Sequence, residues 1–177
     1  MSKNRNLVLF IAMSLDGYIA TEDESLDWLY NVEGDGDNGY SRFYETVDTV
    51  IMGKKTYDWM MTYAPDEFPY KGKECYVFTR SINEDTQDVK FINNDIVSFI
   101  NDLKKQERGN IWLVGGGDLL TTFTENKLID ELIITLAPKI IGKGIPLFNQ
   151  GDYQSDLILK GTRKYNQFVE LHYLVKK

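Results

Sequence analysis

The stretch Ile111-Trp-Leu-Val-Gly-Gly-Gly-Asp118-Leu-Leu decides how this 177-residue chain folds. Four apolar residues run into three consecutive glycines, and a helix-like segment, Leu119 to Phe123, follows at once. A buried strand that breaks into bare backbone and restarts as a helix leaves several N–H groups pointing into one small space. The helix end adds partial positive charge, so the turn suits a phosphate. Glycine serves there because a Cβ would obstruct either a φ > 0 turn or the close approach of a ligand to the backbone. A tight strand-to-helix turn without a ligand is the plain alternative.

The sequence on either side repeats the pattern. Leu7–Met13 is a continuous apolar run, as in a strand buried on both faces. Ser14-Leu-Asp16-Gly17 marks a turn, and Tyr18–Ala20 resumes briefly. The turn-formers Gly34 to Gly39 lead into a helical segment, Tyr40–Val47, with Phe43, Tyr44 and Val47 on one side. Thr49–Met52 is a second strand ending at Gly53, followed by helical Lys54–Met61. Glu74–Thr79 is a third strand and Lys90–Ile92 a short one. Ile96–Gln106 predicts an amphipathic helix, with Ile96, Phe99, Ile100 and Leu103 on one face. After the glycines come a helix to about Thr124 and a strand, Leu132–Leu136. Leu157–Lys164 and Phe168–Val175, joined near Asn166-Gln167, predict an antiparallel hairpin. This alternation predicts an α/β fold in three layers, a mostly parallel sheet covered by helices on both faces, with an antiparallel C-terminal edge. No repeat or linker divides residues 1–177, so one domain is expected.

At 42% hydrophobic, the chain can bury one sizeable core. Its net charge of −7 argues against broad nucleic-acid or anionic-membrane binding, so a bound anion would depend on local geometry. Cys75 is the single cysteine and lies in an apolar run, which suits a buried small hydrophobe in a reducing, cytoplasmic compartment. His172 is the only histidine, so a His-based metal site is excluded and no metal is expected. Lys3 and Arg5 before Leu7–Ala12 imitate a signal peptide, but the apolar run is short and Asp16 closes it. No stretch is long enough to cross a membrane.

In a parallel sheet, ligands bind beyond the carboxyl ends of the strands. Three apolar strands here end alike: Met52-Gly53-Lys54-Lys55-Thr56, Phe78-Thr79-Arg80-Ser81 and Val114-Gly115-Gly116-Gly117. Together they can form a site for a multi-phosphate ligand, with Lys54 or Arg80 suited to a phosphate monoester. Gly53-Lys54-Lys55-Thr56 imitates the end of a P-loop, but Lys55 displaces the Thr and Asp48 stands where the first Gly belongs. The Rossmann fingerprint fails because the three glycines are contiguous. Asp35 and Asp37 suggest calcium-loop spacing, but the closing Glu is missing.

Taken in order, these motifs resemble the dihydrofolate reductase-like superfamily, and within it the reductase domain of bifunctional riboflavin-biosynthesis deaminase-reductases. The resemblance rests on Ala12-Met-Ser-Leu-Asp-Gly17-Tyr-Ile-Ala20, Val50-Ile-Met-Gly-Lys-Lys-Thr56, Val77-Phe-Thr-Arg-Ser81, Val114-Gly-Gly-Gly117 and Ala137-Pro138 through Gly142-Lys-Gly144-Ile-Pro-Leu-Phe148. It implies NADPH as cofactor. By matching position, Gly53, Lys54, Lys55 and Thr56, with Thr79, Arg80 and Ser81, would flank the adenosine end and its 2′-phosphate. Val114, Gly115, Gly116, Gly117, Asp118, Leu119 and Leu120 would hold the pyrophosphate, the first two glycines joined by a cis peptide. Asp118 would cap the helix and point away. Ala12, Ile19 and Ala20 would line the nicotinamide; Ser14, Trp28 and Thr135 would lie on the substrate side. Trp28 serves equally as a half-buried loop anchor.

The matching acid is Asp37. In an apolar cleft its pKa would be raised, fitting it to bind an N–H edge and help supply a proton. Alternatively it only caps the helix starting near Asn38 or Gly39. Residues 1–177 match only the reductase half, so deamination is not expected of them, and Arg42 is the only base at 38–46, which counts against a phosphoribosyl substrate. The resemblance implies an NADPH-dependent reductase acting on a small molecule, a pterin-like or ribosylaminopyrimidine substrate, first of the 5-amino-6-(5-phosphoribosylamino)uracil type and second dihydrofolate. A non-catalytic NADPH-binding sensor is the alternative of another class, and a homodimer is expected by analogy.

Overall fold

The chain is described by a computed structural model covering residues 5–177. In chain order it forms β1 (Leu7–Ser14), β2 (Tyr18–Ala20), α1 (Asp27–Tyr30), α2 (Tyr40–Tyr44), β3 (Val47–Gly53), α3 (Lys54–Tyr63), β4 (Glu74–Phe78) and β5 (Lys90–Ile92). Next come α4 (Ile96–Lys104), β6 (Asn110–Gly115), α5 (Gly117–Glu125), β7 (Glu131–Ala137), β8 (Ile145–Pro146), β9 (Leu157–Tyr165) and β10 (Phe168–Val175).

Eight strands make one sheet in the order β5-β4-β3-β6-β1-β7-β10-β9, while β2 and β8 pair separately. The strands from β5 to β7 run parallel, and β10 and β9 close the edge antiparallel. This is the predicted sheet and hairpin. Alternate side chains of each strand face opposite sides, which divides the core in two. Leu7, Leu9, Ile51, Ile111 and Leu113 pack on one side with Ile100 and Leu103 of α4 and Leu119, Leu120 and Phe123 of α5. Val8, Val50, Met52 and Trp112 pack on the other with Phe43 of α2 and Met60 of α3. Helices therefore cover both faces.

Leu7, Val8 and Leu9 are fully buried, but Phe10 to Met13 are only partly so, because the end of β1 opens onto a cleft. The predicted helix Tyr40–Val47 is shorter than expected. It stops after Tyr44, and Val47 opens β3. Phe43 and Val47 do face the same core, which is why their spacing reads as one helical face. Two small elements, α1 and β8, carry no periodicity long enough to be read. Lys3 lies outside the described residues, but Arg5 is 2% exposed. Its guanidinium pairs with Asp48 and donates to Thr49 Oγ1 at 2.6 Å and to the Gly109 carbonyl at 2.8 Å. This base is part of the fold's floor. Among the described residues no helix is long and apolar enough to cross a membrane.

Candidate functional site

The ends of β1, β3, β4 and β6 open into one cleft of about 1120 Å³. That slightly exceeds the roughly 300–1,000 Å³ of ordinary small-ligand pockets, as suits a dinucleotide and a second molecule together. Near its end β6 slips by one residue against β3, Ile51 facing Leu113 and Met52 facing Gly115. Such a slip re-aims the backbone just before the turn. Gly115 and Gly116 then take φ of +150° and +112°, and α5 starts at Gly117. A Cβ on Gly116 would sit 3.4 Å from Thr56 Oγ1 and 3.6 Å from the Gly53 amide. The bare Cα keeps open the space between the N-terminus of α5 and the start of α3, where two helix ends offer amides to an anion.

The charges around the cleft differ in availability. Lys54 pairs with Asp58 at 2.5 Å, and Lys55 reaches Glu24 at 3.0 Å, both of that second pair lining the cleft. Arg80, exposed at the end of β4, has no ion-pair partner among the described residues. Beside it the Thr79 and Ser81 hydroxyls lie 3.1 Å apart, and the Asn83 amide donates to both. Trp59 of α3 lines the cleft too, with its indole N–H buried and unpartnered among the described residues. A bare-backbone cradle, a free guanidinium and an orphan donor fit an anionic, hydrogen-bonding ligand such as NADPH.

A model of the RibD C-terminal domain matches residues 5–171. The chain belongs to the RibD C-terminal domain family. It is 49% identical over 171 residues to the uncharacterised protein YwjB of Bacillus subtilis (strain 168), covering 96% of this chain and 98% of that one. It is 26% identical to the dihydrofolate reductase of Ureaplasma parvum over 97% of this chain and 98% of the other. Among solved structures, a Shewanella sp. PV-4 protein provisionally named for riboflavin biosynthesis superimposes with a TM-score of 0.87 at 30% identity, covering 97% and 99% of the two chains. The bifunctional deaminase/5-amino-6-(5-phosphoribosylamino)uracil reductase of Thermotoga maritima superimposes with a TM-score of 0.71 at 15% identity, over 98% of this chain and 57% of that one. The sheet, its helical layers and its C-terminal hairpin are thus the dihydrofolate reductase-like architecture of this RibD family.

Most residues expected at a cofactor line the cleft together: Ala12, Ile19, Ala20, Gly53 to Thr56, Thr79 to Ser81, and Val114 to Leu119. Leu120 does not. It is 3% exposed in the core, and its amide is taken by the Gly116 carbonyl at 2.8 Å, so neither part reaches a ligand. Asp118 is exposed and does not cap; Gly116 holds the capping position without a side-chain bond. Among the described residues every peptide is trans, so the expected cis Gly115–Gly116 bond is absent.

Of the residues expected on the substrate side, Thr135 does not line the cleft but is buried on β7 directly beside Ala12, which does. Trp28 of α1 packs on Ala137, Tyr165 and Phe168, its indole N–H buried and unpartnered among the described residues. Ser14 is corrected. It is fully buried, and its hydroxyl donates to Asp16 Oδ1 at 2.6 Å and accepts from the Tyr18 amide at 3.0 Å, so it serves the turn.

Asp16 also accepts from the Ile141 and Gly142 amides at 3.2 and 2.8 Å, pinning the loop that leads to β8, the partner of β2. The Ser14 hydroxyl, then the two amides, hold its carboxyl below the usual range. A depressed folded pKa contributes stability above the unfolded value of about 3.9, lost as pH falls through the lower folded value. Asp16→Asn is therefore expected to flatten the fall of Tm between about pH 5 and about pH 2. A Tm–pH curve parallel to wild type would contradict this.

Asp37 is exposed, not in the cleft. Its carboxylate accepts from the Gly39 amide at 3.1 Å and the Ser41 amide at 2.8 Å, at the start of α2. The expected rise in pKa is reversed. Hydrogen bonds from the Ser41 side chain and backbone, ahead of the Gly39 amide, lower it. Asp37→Asn keeps an oxygen for those amides, so NADPH turnover is expected to change by less than about twofold. A larger loss in steady-state turnover would return the acid to the chemistry. Burial pushes the Cys75 thiol up to about 12, which leaves it an inert core group. Sequence reasoning missed Trp59, Glu24 and Asn149 on the cleft wall. Only Trp59 left a signal, an aromatic following a strand-end motif.

Proposed function

We propose that this protein is a cytoplasmic, single-domain, NADPH-dependent reductase of the riboflavin type, acting on a ribosylaminopyrimidine such as 5-amino-6-(5-phosphoribosylamino)uracil. The observation that carries the reading is the bare Gly115-Gly116 turn on the cleft wall, with Gly116 directly beside Gly53 and Thr56. The amides of Gly115 to Gly117 would hold the pyrophosphate with the Thr56 hydroxyl beside them. Arg80, exposed beside the Thr79, Ser81 and Asn83 cluster, would read the 2′-phosphate, where a guanidinium fork suits a monoester. Ala12, Ile19 and Ala20 would press on the nicotinamide and keep water off that face. The bound cofactor supplies the hydride; the protein supplies placement and electrostatics. Leu157, Ile158 and Leu159, at 42%, 51% and 55% exposure on the edge strand, support pairing of two copies.

Dihydrofolate is the second substrate, favoured by the full-length similarity to a dihydrofolate reductase. Stopped-flow loss of NADPH absorbance, with the ribosylaminopyrimidine phosphate and with dihydrofolate in parallel, tests both. Oxidation with the first alone is the expected result. Binding of NADPH without oxidation by either would mark a sensor and overturn the enzymatic reading.

A further inference from the structure

We propose that Glu170 is the carboxylate that anchors the substrate, accepting hydrogen bonds from an N–H-bearing edge of a nitrogen heterocycle; the proposal rests on the reductase reading for the cofactor side of the cleft. Ala12, Thr135 and Glu170 are register partners on β1, β7 and β10, and Arg163 continues the row on β9. Residues directly opposite one another in a sheet share a face. The row therefore lies on the side of Val8 and Trp112, starting from Ala12 at the cleft. Packed clusters flank it. Phe43 of α2 stacks on Phe10 at 4.1 Å below, and Trp28 and Leu29 of α1 cover Ala137, Tyr165 and Phe168 above. The row runs inward between them from Ala12 on the cleft wall, with Thr135 and Glu170 both buried.

Glu170 has a side chain only 4% exposed, although it stands on β10 of the C-terminal hairpin. One oxygen accepts from Arg163 Nη1 at 3.2 Å and the other from the Tyr165 hydroxyl at 3.4 Å. The Tyr165 hydroxyl in turn accepts from Arg42. An ionised carboxylate has about four acceptor positions, and two long bonds leave it under-filled for a buried charge. The Trp28 indole, packed in the same cluster as Tyr165, is a buried donor with no acceptor among the described residues. An acceptor with spare capacity and a donor with none used thus both neighbour Tyr165. A ring edge carrying both N–H groups and a lone pair, as in an amidine or a uracil, satisfies both. The exposed and already occupied Asp37 does neither.

The test is titration of the full chain with 2,4-diaminopyrimidine, followed by tryptophan fluorescence, with and without saturating NADPH. Wild type is expected to bind, Glu170→Gln to weaken binding about tenfold or more, and Asp37→Asn to stay within about twofold. Glu170→Asp, which keeps the charge but shortens its reach, is expected to fall between them. Thermal melts identify any variant that has lost the fold; if Glu170→Gln has, Glu170→Asp decides. Equal binding by wild type and Glu170→Gln, or none by wild type, overturns the anchor. Diaminopyrimidine binding without NADPH binding would instead sink the reductase reading and leave Glu170 in place.

Discussion

Gly116→Ala is expected to abolish most NADPH binding while leaving a folded protein. At φ +112° an L-residue is strained by about 1–3 kcal/mol, and its methyl, in van der Waals contact with Thr56 Oγ1 and the Gly53 amide, would occupy the cradle. The loop either stays strained or relaxes out of the anion-binding shape. A loss of about 2 kcal/mol in binding is roughly 30-fold in Kd. Thermal shift reads this directly. A ligand at 100 times its Kd adds about 2.7 kcal/mol, some 5–10 °C for a chain of this size. That rise should be present in wild type and in Gly161→Ala, whose Cβ meets nothing within 4 Å, and cut to about a third in Gly116→Ala. An undiminished rise in Gly116→Ala would mean that the turn does not hold the cofactor.

The largest expected loss of stability comes from Phe123→Ala. Phe123 is fully buried on α5 and meets the Phe78 ring edge-on at 6.1 Å, at the end of β4. Emptying this site costs about 3–5 kcal/mol through lost burial and the cavity left behind. For a chain of this length that is a fall in Tm of about 6–20 °C. Because Phe123 fixes α5 against the sheet, NADPH affinity should also weaken, though less than in Gly116→Ala. A denaturant midpoint close to wild type would show that the core collapses around the gap and that α5 is held by other contacts.

Sequence patterning revealed those elements whose burial is periodic. β3, β4 and β6 are apolar runs leading into glycine or hydroxyl residues, and those endings converge on the cleft, which β1 reaches through Ile11 and Ala12. α1 spans four residues and β8 two, too few to show a period. Leu120 and Ser14 continue motifs that do reach the cleft, but position alone does not reveal direction. Leu120 falls on the core side of α5, and Ser14 is drawn into the Asp16 turn. Asp37 matches a functional position by counting, yet its environment depends on a loop that leaves it in water. Glu170 is the converse case. A lone Glu in an alternating strand reads as solvent-facing, and its burial comes from Tyr165, Arg163 and its place beside Thr135, all set by long-range pairing.

Isothermal titration calorimetry of the wild-type chain with NADPH tests the central claim most directly. Saturable heat with one molecule bound per chain, greatly reduced when NADH replaces NADPH, is what a glycine cradle and a free Arg80 predict. A flat titration at millimolar NADPH would contradict the account at its root.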